Sequence, residues 1–84
     1  MALRFGADVS AAETEYGTVL LDERGGEYYE LNPTASLVVR TLMAGGDEAE
    51  AVAAVTGEFD VDATQARQDV AALVQQLRTS GLAE

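Results

Sequence analysis

A chain of 84 residues with 48% hydrophobic composition, fifteen acids against five arginines and a formal charge of −10 makes one domain with a modest core, since folding at this length removes only about 60–65% of the unfolded chain's surface from water. The sequence contains no lysine, histidine or cysteine. That excludes Schiff-base and P-loop chemistry, the commonest general base and zinc ligand, a thiolate nucleophile and any disulfide. The charge also opposes nucleic acid, which is held largely by Lys and Arg on phosphates, and it opposes anionic membrane surfaces.

An acidic surface suits a basic partner or substrate, with solubility alone as the competing explanation. No apolar run approaches the ~18 residues of a membrane span. The opening MALRFGADVS has one Arg and no apolar h-region, so no secretory signal and a cytoplasmic location are expected.

In chain order, Leu3 to Val9 is a candidate first strand, weakened by Gly6 and Ala7. Thr14 to Asp22 is a stronger second strand, carrying Tyr16, Val19, Leu20 and Leu21. Glu23-Arg24-Gly25-Gly26 reads as a turn whose glycines supply positive φ. Glu27 to Leu31 returns as a third strand. Its alternation sends Tyr29 and Leu31 to one face, expected to be core, and Tyr28 and Glu30 to the other. Tyr28 is then a solvent-side residue or a contact for a partner enzyme.

Asn32 reads as an N-cap with Pro33 at the first helical position. This predicts a helix to about Ala44, with Ala35, Val38, Val39 and Leu42 on one stripe and Gly45-Gly46 as its stop. Asp47 and Glu50 open a second helix as a capping box, with Val52, Val55 and, past Gly57, Phe59 apolar. Asp62 and Gln65 open a third and longest helix, running to about Ser80 before Gly81. Three strands followed by three helices exclude a parallel β-α-β sheet as the main architecture. They predict an α+β fold, a three-stranded antiparallel meander on a three-helix bundle in a single domain.

Several chemistries fail on inspection. Asp60-Val61-Asp62 resembles the start of a calcium loop, but Thr64, Gln65 and Ala71 stand where the loop needs Asn or Asp, Gly and Glu. Ser10, Ser36 and Ser80 have no His or Lys to activate them. Acidic pairs such as Glu48 and Glu50 sit in no expected pocket. No catalytic residue, cofactor or metal is expected. A phosphopantetheine carrier would need an Asp-Ser-Leu context, whereas Ser36-Leu37 follows Ala35. A winged-helix DNA-binding protein would need more than Arg67 and Arg78 on the third helix. A purely structural or antitoxin-like subunit is a further reading.

The run Tyr28-Tyr29-Glu30-Leu31-Asn32-Pro33-Thr34-Ala35 resembles the strand-to-helix junction of the PqqD-like family. So do Leu21-Asp22 before a Gly turn, the stretch Glu58-Phe59-Asp60-Val61-Asp62, and a long helix with Asp69-Val70 and Leu77 closed by Ser80-Gly81-Leu82. The resemblance spans about residues 3 to 83. It implies a winged-helix-like fold of three strands and three helices and a role as a RiPP recognition element. Such a domain is a peptide chaperone without enzymatic activity that binds the leader segment of a ribosomally made precursor peptide. The pattern is most like the small B1 component of lasso-peptide systems, which works beside a transglutaminase-like leader peptidase and a cyclase. The alternative branch is a PqqD-type chaperone for a radical SAM enzyme.

The resemblance further implies that the leader adds an antiparallel strand to the third strand beside the third helix. The candidate contacts are then Glu27, Tyr28, Tyr29, Glu30 and Leu31 on the strand, with Arg67, Asp69, Val70, Leu73, Val74 and Leu77 on the helix. Ala66, Val70, Leu73, Val74 and Leu77 form one apolar stripe, whose ordinary explanation is the core. Leu73 and Val74 lie toward opposite sides of it, so one of them lines the groove. Arg67 and Arg78 border one side, Asp69 and Gln76 the other. The pattern leaves the flank open; Asp69 with Glu27 and Glu30 suits a leader carrying Lys or Arg.

Overall fold

The structure, a computed structural model, describes residues 3–84, so the first two residues of the opening stretch lie outside it. Its elements are β1 (Val9–Thr14), β2 (Gly17–Asp22), β3 (Glu27–Leu31), α1 (Pro33–Met43), α2 (Glu48–Glu58) and α3 (Ala63–Thr79). The sheet is antiparallel in the order β1-β2-β3, and the fold is α+β as expected.

The first strand departs from expectation. β1 is Val9–Thr14, not Leu3–Val9, and Thr14 ends β1 instead of opening β2. Glu15-Tyr16 forms the turn between Thr14 and its register partner Gly17, which leaves Tyr16 84% exposed at the hairpin tip. The reason is that VSAAET is small and polar; its outer residues are exposed, and the ladder to β2 holds it without a buried apolar row. Leu3 to Gly6 pairs instead with the chain's other end. Phe5 bridges Ala83, the Gly6 N–H donates to Leu82 O (3.0 Å), and the Glu84 N–H donates to Arg4 O (2.7 Å).

The β2–β3 turn forms where the glycines place it. The Asp22 carboxylate accepts from the N–H groups of Arg24 (3.1 Å) and Gly25 (3.3 Å), and Gly26 takes φ 71°. Each helix starts at its expected cap: Asn32 accepts from the Ala35 N–H, Asp47 from that of Glu50 and Asp62 from that of Gln65, all at 2.8 Å. The reciprocal half of each expected capping box is not formed: the Glu50 carboxylate takes no bond from the Asp47 N–H, and the Gln65 side-chain amide donates forward to Asp69 at 2.8 Å. Gly57 does not interrupt α2, which runs through it to Glu58.

One face of the sheet carries Thr18 and Leu20, both buried, with their partners Leu31 and Tyr29. The core lies between this face and the helices, formed by Leu20, Val38, Val39, Leu42, Val55, Val70, Val74, Leu77 and Leu82. The other face, with Val19, Leu21, Tyr28 and Glu30, is open. Among the described residues no helix is long and apolar enough to cross a membrane.

Candidate peptide-binding groove

β3 is the last strand of the sheet, and its outer edge has no strand partner among the described residues. The hydrogen-bonding parity of that edge follows from the bonds around β2. The Glu23 N–H donates toward β1, to Asp8 O at 2.9 Å, whereas the Thr18 N–H points away from β1, to Ser36 Oγ at 2.8 Å. Residues 18, 20 and 22 of β2 therefore turn their main chain toward β3, where their partners are Leu31, Tyr29 and Glu27. Alternation leaves the N–H and C=O groups of Tyr28 and Glu30 facing outward. An edge of this kind is a template for another strand.

Beside it, α1 bridges the sheet and the bundle, while no Cα of α3 comes within 8 Å of a Cα of β3. The space between is a groove. Its sheet end is a depression of about 180 Å³ lined by Leu20, Tyr29, Glu30, Leu31, Leu73, Gln76, Leu77 and Ser80. It continues past Leu73 and Gln76 into one of about 400 Å³ between the start of α1 and α3, lined by Asn32, Thr34, Ala35, Val38, Val61, Ala66, Asp69, Val70 and Ala72.

The flank of α3 that meets this space carries Asp69, Leu73, Gln76 and Ser80. Leu73 is half-buried, whereas Val74 is 3% exposed and belongs to the core. Val70 and Leu77 are also core residues that form the floor. Arg67 lies on the opposite side, beside Glu48, Ala49 and Val52 of α2. Of the eleven residues named from the sequence, the groove thus brings together Tyr29, Leu31, Asp69, Val70, Leu73 and Leu77, and Glu30 borders it at the strand edge while alternation puts its side chain on the open sheet face. Tyr28 is 65% exposed on the outer sheet face. Glu27 sits behind Tyr29, whose hydroxyl donates to its carboxylate at 2.8 Å. That bond first, with partial burial and the nearby charges of Glu27 and Asp22, holds the Tyr29 phenol above its ordinary value. Tyr29 therefore presents a neutral ring to the groove at neutral pH.

Ala35, Ala66 and Ala72 also line the larger depression and are not among the eleven. Their signal is size: beside Leu73 and Val38 their single methyl groups leave room, and so carve the depression. Asn32 and Thr34 join them because the cap of α1 sits at the groove's far end. No basic side chain lines either depression, and among the described residues no acidic cluster is placed to hold a metal ion. The arrangement fits a peptide in extended form, with main-chain pairing along one side and apolar side chains received on the other.

A comparison with curated proteins gave no significant match. Among solved structures, the chain is similar to a lasso peptide synthetase B1 complexed with the leader peptide, at 43% identity and TM-score 0.90, covering 100% of this chain and 99% of that one. It is also similar to TbiB1 in complex with the TbiA(beta) leader peptide, at 26% identity and TM-score 0.88, covering 96% and 94% of the two chains. The family model described as coenzyme PQQ synthesis protein D (PqqD) matches residues 17–83, from the first residue of β2 to the tail after α3. The free edge, the groove and the helix beside it all fall within that span, and the chain belongs to the PqqD family.

Proposed function

We propose that this protein binds the leader segment of a ribosomally made precursor peptide by strand addition to β3 beside α3. It performs no reaction itself and presents the precursor to a leader peptidase and a cyclase of a lasso-peptide system in the cytoplasm. The observation that carries this reading is the conjunction of an unpaired β3 edge with an apolar groove against α3, in a chain whose similar structures are both complexes with leader peptides.

Magnitudes explain why both features are needed. Ordering about five peptide residues costs ~5–10 kcal/mol of backbone entropy. Main-chain hydrogen bonds contribute a net ~0.5–1.5 kcal/mol each, so an edge alone does little more than offset that cost. Binding near 1 μM requires about −8 kcal/mol. The difference comes from two or three apolar side chains buried at ~1.5–3 kcal/mol each, which the wall of Tyr29, Leu31, Leu73 and Leu77 can supply.

A synthetic leader peptide titrated into the protein tests the reading. Micromolar or tighter binding is expected, with the peptide unchanged on incubation. A second reading, a chaperone for a radical SAM enzyme, draws on the family model itself. The neighbouring reading frames separate the two: a short precursor with a transglutaminase-like peptidase and an asparagine-synthetase-like cyclase favours the first, a radical enzyme the second.

A further inference from the structure

We propose that the outward side of the bound strand is read as well as its inward side, and that Glu30 selects a Lys or Arg at the peptide position directly opposite it. This rests on strand addition to β3. Because Tyr28 and Glu30 present their main-chain groups to the free edge, an antiparallel guest strand places one residue opposite each of them. Opposed residues share a face, so the guest residue across from Tyr29 points into the groove and those across from Tyr28 and Glu30 lie on the open sheet face.

That face has a distinct composition. One cross-strand row is Ala12–Val19–Glu30 and the next is Ser10–Leu21–Tyr28. Glu30 is their one charge, in a molecule of charge −10. The only ion pair among the described residues is Arg40 with Glu13, on the other face, so the Glu30 carboxylate is paired with no cation among them. A guest strand would extend the first row by one residue, within direct reach of it. An acid there meets like charge; a Lys or Arg completes a cross-strand pair, worth about a twofold to fivefold change in affinity. The row below offers Leu21 and Tyr28, both exposed, to an apolar or β-branched neighbour. The competing account is that Glu30 only blunts an exposed edge against self-association.

The probe is the leader peptide of the 43%-identical B1 complex, synthesised as a series carrying Lys or Glu at each position in turn. Affinities are measured by fluorescence anisotropy for the native protein, Glu30→Lys and Glu30→Gln, with circular dichroism confirming that each variant is folded. The expected result is one position at which Lys binds about twofold to fivefold tighter than Glu. That order reverses in Glu30→Lys, vanishes in Glu30→Gln and weakens in high salt. Binding of the series with no position that reverses overturns this inference and leaves leader binding standing. Loss of binding by the whole series to the native protein overturns both.

Discussion

The hydroxyl of Ser36, one turn into α1, accepts the backbone N–H of Thr18 on β2 at 2.8 Å and donates to Asn32 O at 2.8 Å. Both residues are buried. This one side chain satisfies a main-chain donor where the sheet meets the helix, at the end of the strand that would receive the peptide. In Ser36→Ala the buried Thr18 N–H loses this acceptor, and the Asn32 carbonyl loses a donor. The expected loss is about 1–3 kcal/mol, read as a lower urea midpoint with an unchanged slope.

Gly17 faces the same junction. Its φ is 141°, and a Cβ there would collide with the carbonyl oxygen of Leu31. Gly57, in the last turn of α2, has open space around the same hypothetical atom. Gly17→Ala is therefore expected to lower the melting temperature clearly, whereas Gly57→Ala stabilises by up to about 0.5–1 kcal/mol through the helix preference of alanine. Paired thermal melts check both signs in one experiment.

Leu73 and Val74 are adjacent in sequence, but Leu73 lines the groove and Val74 lies in the core. Leu73→Glu puts a charge on the groove wall and is expected to weaken leader binding by about 10- to 100-fold with the fold intact. Val74→Glu buries a charge among Val70, Leu77 and Leu20 and is expected to unfold the domain. Titration calorimetry with circular dichroism distinguishes them; equal and unchanged affinity in a folded Leu73→Glu removes α3 from the site.

The bond from Tyr29 to Glu27 gives an alkaline signature. With its value raised above 10.0, the phenol holds its proton more tightly in the folded than in the unfolded chain. The stability this contributes is fully present below pH 10 and is lost as pH climbs through the folded value. Tyr29→Phe should lack that alkaline loss. Glu27→Gln should bring the Tyr29 share of the tyrosinate absorbance to lower pH, as followed by spectrophotometric titration.

What was legible in the sequence is what local chemistry decides. Asn32-Pro33, Asp47 and Asp62 cap helices by bonds within three residues, and Gly25-Gly26 marks a turn for the same local reason. β1 was not legible, because Ser10, Ala11 and Ala12 carry no apolar alternation and are strand only by pairing with Leu21, Leu20 and Val19. Tyr16 read as a strand residue because it adjoins an apolar run; the turn is set by Gly17 after it. The flank of α3 was undecided because Leu73 and Val74 differ by about 100° of helix rotation. Which of them turns inward depends on how α3 crosses α1 and α2, a tertiary fact that periodicity does not encode.

Amide hydrogen exchange at Tyr28 and Glu30, followed by NMR with and without a bound leader peptide, tests strand addition most directly. In the free protein these two N–H groups face the open edge and should exchange quickly, while that of Tyr29, bonded back to β2, is already slow. The account expects the peptide to slow Tyr28 and Glu30 strongly and to leave Tyr29 nearly unchanged. A saturating peptide that leaves both outward amides in fast exchange would contradict it.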